Sequence, residues 1–196
     1  MKCTGFPRSP VGITLVEMMV TVMVVGVIFA AAIPSLTSLI ERRRVIAAAG
    51  EIASIFAYAR SETNVVADKL NVHLEPVPAS VGDFSCIRVS TAVFADTCKC
   101  NVAESDVCKI GTGSVLREFK LPRDKSVSFE AEGTWAKGKP YVVSFERDRH
   151  STTVQGVQVT VTGARTHAQL RVEYNNAGRV RTCSPDGSIS GFPACG

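Results

Sequence analysis

Gly12-Ile13-Thr14-Leu15-Val16-Glu17 opens the stretch that decides this fold, and an uncharged run from Met18 to Ile33 follows it. Ile13 to Ile33 together reach the roughly 20 residues that an α-helix needs to cross a bilayer. One residue breaks the pattern. Glu17 is a carboxylate near the start of the span, where an unpaired charge costs about 2.5–3.5 kcal/mol even on the mildest scale. An acid so placed is a functional hypothesis by default, the bland alternative being a tolerated charge near the end of an ordinary signal anchor. A cleavable secretory signal fits less well. Its apolar core of about 7–15 residues would end at a small-residue cleavage site before this run is over. Here Lys2 and Arg8 precede a glycine, and the apolar run continues beyond it.

These residues resemble the class III leader of type IV pilins and type II secretion pseudopilins. The resemblance implies that a membrane prepilin peptidase cuts between Gly12 and Ile13 and methylates Ile13. Phenylalanine is the usual residue there, so Ile13 is a departure from the pattern. Glu17, fifth in the implied mature chain, matches the family's glutamate. In a filament it would meet the N-terminal amine of a neighbouring subunit. A buried pair of that kind adds little net stability, but losing one member is strongly destabilising, so the pair can fix register. Gly26 and Pro34 stand where the family often has a glycine and a proline. They weaken a helix by about 1 and 3 kcal/mol relative to alanine, and the resemblance implies local melting between them during assembly.

The implied layout is a leader over residues 1–12, a transmembrane helix over 13–34, the periplasmic half of that helix over 35–64, and a β-rich head over 65–196. The implied location is the bacterial inner membrane, single-pass, with the N-terminus cytoplasmic and the head periplasmic, and then a pilus or pseudopilus. The implied partners are the prepilin peptidase, other pilins or pseudopilins, and an inner-membrane assembly platform.

Beyond Pro34 the helical pattern resumes. Val45, Ala49, Ile52, Ile55, Phe56 and Ala59 recur at spacings of three and four, one apolar stripe for a core. Glu41-Arg42-Arg43-Arg44 precedes them, after Leu36, Leu39 and Ile40, and its arginines read as a solvated face. Those three arginines outnumber the two basic residues ahead of the apolar run, against the positive-inside rule. The N-in orientation is kept because the peptidase site requires it. The helix is expected to end in Ala59-Arg60-Ser61-Glu62-Thr63-Asn64, and this Ala-Arg-Ser-Glu ending resembles the GspH/FimT branch of pseudopilins and minor pilins.

From Val65 onward the composition turns β-like. Strands are expected at Asn71–Leu74, Phe84–Val89, Leu116–Leu121, Val127–Phe129, Tyr141–Phe145, Val157–Val161 and Leu170–Tyr174, with alternation clearest in the last two. Ser90 to Gly113 reads as a long stapled loop. The expected fold class is α+β and type IV pilin-like, a long N-terminal helix packed on an antiparallel β-rich head.

Seven cysteines bound the chemistry. Cys3 lies in the leader, and six remain beyond it. An even count in a non-cytosolic domain argues for disulfides in an oxidising compartment. Cys183 and Cys195 bracket a loop rich in serine, proline and glycine and are expected to pair. Cys98-Lys99-Cys100 does not pair readily within itself, so Cys86, Cys98, Cys100 and Cys108 cross-link one another in an order the sequence leaves open. The spacing is not that of a zinc finger, and no metal site is expected.

Nor is a catalytic constellation. His73, His150 and His167 are scattered, Gly111-Thr-Gly113 lacks the glycines and lysine of a phosphate loop, and no serine sits in a nucleophile elbow. The expectation is a non-enzymatic chain with no cofactor and no small-molecule substrate. The net charge of +4 falls to +2 without Lys2 and Arg8, too little to imply nucleic acid by bulk charge.

One local cluster stands apart: Asn175-Asn-Ala-Gly178-Arg-Val-Arg-Thr182. Asparagine and glycine suit a turn. If the following residues are extended, Arg179 and Arg181 share a face while Val180 points inward. Gly178-Arg-Val-Arg181 matches the G-R-x-R pattern of FimT-type minor pilins, which bind DNA in natural transformation. The resemblance therefore implies DNA as an alternative partner, with Arg165, His167 and Arg171 enlarging the patch. The bland reading is a hairpin common to the whole branch. Two arginines make few phosphate contacts, and no aromatic residue interleaves with them for base stacking.

Overall fold

The computed structural model describes residues 12–65, 69–75, 84–91, 98–100, 108, 113–122, 126–135, 141–147, 156–175 and 178–196. His150, Asn176, Ala177, the leader up to residue 11 and much of the cysteine-rich stretch lie outside these residues. The chain divides into two compact units, residues 1–38 and 39–196. One helix, α1 (Leu15–Glu62), contributes to both.

In the first unit α1 is apolar and exposed on every side. Leu15, Val16, Met18, Met19 and the large apolar side chains described from there to Ile33 all face outward. It is the one described helix long and apolar enough to cross a membrane. Gly26 and Pro34 both lie within its unbroken run.

In the second unit the same helix becomes one-sided. Val45, Ala49, Ile52, Ile55, Phe56 and Ala59, the stripe legible in the sequence, are completely buried. The helix stops at Glu62, two residues before the expected end. There Thr63, Asn64 and Val65 close it with hydrogen bonds to Ala59, Ser61 and Glu62 carbonyls.

Among the described residues eight strands follow: β1 (Lys69–Glu75), β2 (Phe84–Ser90), β3 (Val115–Pro122), β4 (Val127–Glu132), β5 (Val142–Glu146), β6 (Val157–Gly163), β7 (Gln169–Tyr174) and β8 (Val180–Cys183). All strand pairs are antiparallel. They form two four-stranded sheets, ordered β3-β2-β1-β5 and β4-β6-β7-β8. The α+β expectation is met; the division into two sheets was not foreseen. Tyr141, expected to open a strand, stands just outside β5 with a positive φ of 60°, a conformation that no strand accommodates.

Helix and both sheets share one core. From the first sheet come Leu70, Val72, Leu74, Ile87, Val89, Val143 and Phe145; from the second come Phe129, Val157, Val159, Val161, Leu170, Val172 and Tyr174. Three aromatic rings tie the layers together. Phe56 of the helix stacks on Tyr174 of β7 at 5.8 Å between centroids, and Tyr174 meets Phe145 of β5 edge-on at 5.2 Å. Such pairs add about 0.5–1.5 kcal/mol each beyond the area they bury.

Candidate functional site

Strands β7 and β8 form the hairpin in which the Gly-Arg-Val-Arg cluster sits. Asn175 and Arg179 close its turn. The Asn175 N–H donates to the Arg179 carbonyl at 3.1 Å, the Gly178 N–H donates to the Asn175 carbonyl at 2.9 Å, and the Asn175 side chain accepts from the Arg179 N–H at 2.9 Å. Gly178 has a φ of +73°, and a Cβ there would come within 3.2 Å of both the Arg60 guanidinium carbon and the Tyr174 hydroxyl. The positive φ favours glycine here, and any Cβ would crowd both neighbours.

Arg60 explains the crowding. Its guanidinium donates to the Gly178 carbonyl, so the Ala-Arg-Ser-Glu ending of the helix and the Gly-Arg-Val-Arg hairpin are two halves of one contact. Beside it opens a cleft, with Arg60, Ser61 and Asn64 on one wall and Gly178 and Arg179 on the other. The sequence contained both motifs but nothing in either pointed to the other.

The two hairpin arginines are both exposed, yet their settings differ. Val180 is half-buried against the core opposite Tyr174, as the alternation requires. Arg181 pairs across the ladder with Glu173, and it donates to the Ala194 carbonyl at 3.0 Å. Arg179 precedes β8 and borders the cleft. The flanking residues do not all join them. Arg171 lies on β7 within the outer face of the sheet, half-buried, and reaches the Thr160 hydroxyl at 3.4 Å. Arg165 and His167 belong to the β6–β7 turn, at the opposite end of β7 from Arg179. Six residues of strand, roughly 20 Å, separate the two turns. The expected enlarged patch is therefore corrected: Arg165 and His167 are outside it, and Glu173 dilutes what remains.

Arg165 serves another site. Glu41, which opens the Glu-Arg-Arg-Arg run, is buried against this turn. One oxygen of its carboxylate accepts from the Arg165 N–H at 3.0 Å, the Thr166 N–H at 2.8 Å and the Thr166 hydroxyl at 2.8 Å. Burial pushes the Glu41 carboxyl up, but the bonds from Thr166 and Arg165 and the Arg165 charge outweigh it, and the net direction is down. A Cβ on Gly163 would come to 2.6 Å from that oxygen. Arg42, Arg43 and Arg44 do stay exposed, as expected.

Glu17 is exposed at the start of α1. Thr14 precedes the helix, and its hydroxyl accepts the Glu17 N–H at 3.2 Å. Thr14-Leu-Val-Glu17 thus has the T-x-x-E spacing of a capping box. The bond shown engages the Glu17 backbone and caps the first turn of α1. Gly12 and Ile13 are exposed just ahead of it.

The cysteines pair as Cys86–Cys100, Cys98–Cys108 and Cys183–Cys195. The last is the expected pair; the first two supply the order left open. Cys98, Lys99, Cys100 and Cys108 are fastened over the first sheet's outer face, where polar groups meet them. Arg88, almost fully buried, donates to Glu118 at 2.7 Å and to the Lys99 carbonyl at 2.7 Å. His73, beside it on β1, accepts the Cys100 N–H at its Nδ1. Burial, with Lys99 and Arg88 nearby, lowers the His73 pKa to about 4, so the ring is neutral. Ser144 donates to Asn71 at 2.7 Å. One group of metal-ligating atoms converges among the described residues, Glu173 with Cys183 and Cys195. Both sulfurs are held in a disulfide, leaving no thiolate to ligate.

No protein-family model and no curated protein sequence matches the chain. Two solved structures are similar to it. One is the type IV minor pilin FimU of Pseudomonas aeruginosa, with a TM-score of 0.45 and 16% identity over 73% of this chain and 90% of that one. The other is the minor pseudopilin EpsH of the Vibrio cholerae type 2 secretion system, with a TM-score of 0.41 and 12% identity over 72% of this chain and 98% of that one. At such identities the likeness concerns fold alone.

Proposed function

We propose that this chain is a membrane-anchored, non-enzymatic minor subunit of a type IV pilus or type II secretion pseudopilus. The observation that carries the reading is the exposed apolar helix. From Ile13 to Ile40 its one charged residue is Glu17, and the large apolar side chains described along it are solvent-facing. A surface of that kind needs lipid, and later other helices, to cover it. In this reading prepilin peptidase cuts after Gly12 and methylates Ile13. The chain rests in the inner membrane with its head periplasmic, and it then joins other pilins through the assembly platform, priming or tipping the filament. Gly26 and Pro34 allow the helix to loosen as it leaves the bilayer.

Two measurements test this. Intact-mass analysis of the chain from membranes should give a species beginning at methylated Ile13; a chain retaining the leader would remove it from this class. Glu17→Gln then tests the charge. Glutamine keeps the size and helix-forming character of the residue but carries no charge. Loss of incorporation in the Gln variant supports charge pairing with a neighbouring amine, and normal incorporation would remove that pairing from the reading.

A second reading, DNA binding, rests on exposed Arg179 beside Arg60 in the cleft, with Arg181 nearby. Arginine forks suit phosphate without reading sequence. Arg179→Ala/Arg181→Ala should lower affinity and flatten its salt dependence. An absence of binding by the wild-type chain at low salt would end this reading and leave the first intact.

A further inference from the structure

Arg42, Arg43 and Arg44 follow directly on the exposed apolar residues Leu36, Leu39 and Ile40. Consecutive residues on a helix are about 100° apart, so these three arginines point in three directions and leave open the sector that Glu41 occupies. Glu41 fills that sector with a second chain segment. Its carboxylate holds the Arg165 and Thr166 N–H groups, which places exposed Arg165 against the same helical turn. The Glu41 carboxylate is buried beneath them, held by three hydrogen bonds and facing the Arg165 charge, so it offsets one of the four positive charges and leaves the level strongly basic. Four exposed guanidinium-bearing residues therefore encircle the helix at one level, directly after its apolar stretch.

A partner protein docking from one side would be met by a one-sided patch. A closed collar is suited to a planar surface through which the helix passes. We propose that Arg42, Arg43, Arg44 and Arg165 form a collar that binds the anionic phospholipid headgroups of the leaflet facing the head. The inference rests on the membrane-anchored reading above. Clustered basic residues next to a membrane segment attract anionic lipid by charge, while arginine stems lie along the apolar boundary. The collar also accounts for arginines beyond the apolar run that the positive-inside rule disfavours: with the β6–β7 turn fastened to it, this basic level belongs to the folded head and not to a short loop.

The test uses the full chain in nanodiscs of phosphatidylcholine alone or with phosphatidylglycerol added. Co-purification with both kinds of disc checks the anchor, and hydrogen exchange over residues 163–168 reads the collar. The expected result is several-fold slower exchange in anionic discs, reversed by salt and absent in Arg42→Gln/Arg43→Gln/Arg165→Gln. Equal exchange in both discs, with the chain present in both, would overturn the collar and leave the anchor standing. Failure to enter either disc would overturn the anchor and the collar with it. Salt reversal in the unaltered chain keeps the test independent of how the variant folds.

Discussion

The two sheets share a core but treat their outer faces in opposite ways. On the first, Asn71, His73, Arg88, Ser90 and Ser144 are polar and buried, and the segment held by two disulfides meets Arg88 through Lys99 and His73 through Cys100. On the second, Gln158, Thr160, Thr162, Gln169, Arg171 and Glu173 are only half-buried, and Arg181 is exposed. The same alternation of strands produces both faces. The difference lies in what covers them, and it decides which polar residues must find partners inside the protein. A buried donor without a partner costs far more than a solvated one.

The largest effect should come from breaking the covered face. Arg88→Ala takes from Glu118 its buried partner, leaving it the Lys120 pair alone, and takes a donor from the Lys99 carbonyl; about 3 kcal/mol of stability should be lost, read by denaturant unfolding. Arg181→Ala on the open face should change stability by about 0.5 kcal/mol or less. Equal costs for the two would erase the distinction drawn between the faces.

Acid offers a second probe. His73 is neutral when folded and titrates near 4, whereas its unfolded value is 6.5. The unfolded chain therefore takes up the proton first as pH falls. Stability from this group is intact above about pH 6.5, declines from there to about pH 4, and then levels off, for a total near 3 kcal/mol. His73→Gln should flatten that part of the pH–stability curve. Glu41 acts lower. Its depressed pKa means its contribution is present above the ordinary 4.5 and disappears as pH falls through the folded value. A curve still as steep in His73→Gln would place the titration elsewhere.

Gly163→Ala sharpens the comparison on the second sheet, because it presses on Glu41 from the strand side. The expected loss is about 1–3 kcal/mol, measured by thermal unfolding, and it should be largely absent in a Glu41→Ala background. The smallest effect belongs to Thr160→Val on the open face, where a change of about 0.5 kcal/mol or less is expected.

The helix stripe and seven strands were legible because periods of 3.6 and 2 are written in the order of apolar residues. The order of four cysteines was not, because several connectivities share one spacing and only the sheet beneath selects among them. Glu41 was hidden for a related reason. Followed by three arginines, it looks solvated, and only a turn more than a hundred residues later buries it. Arg60 and Gly178 each belong to a local motif, and local patterns carry no record of long-range contact. Arg165 was grouped with Arg179 by nearness in sequence, which a six-residue strand undoes.

Glu41 and Arg60 have a joint mechanical consequence. They fasten α1 to the turns at opposite ends of β7, nineteen residues or about 28 Å apart along the helix axis. A pull along that axis loads both fastenings in shear at once, with the apolar stripe lying between them. The helix cannot be drawn out by opening one end first, as a zipper would allow. Tension on α1 must be borne by the second sheet as a whole.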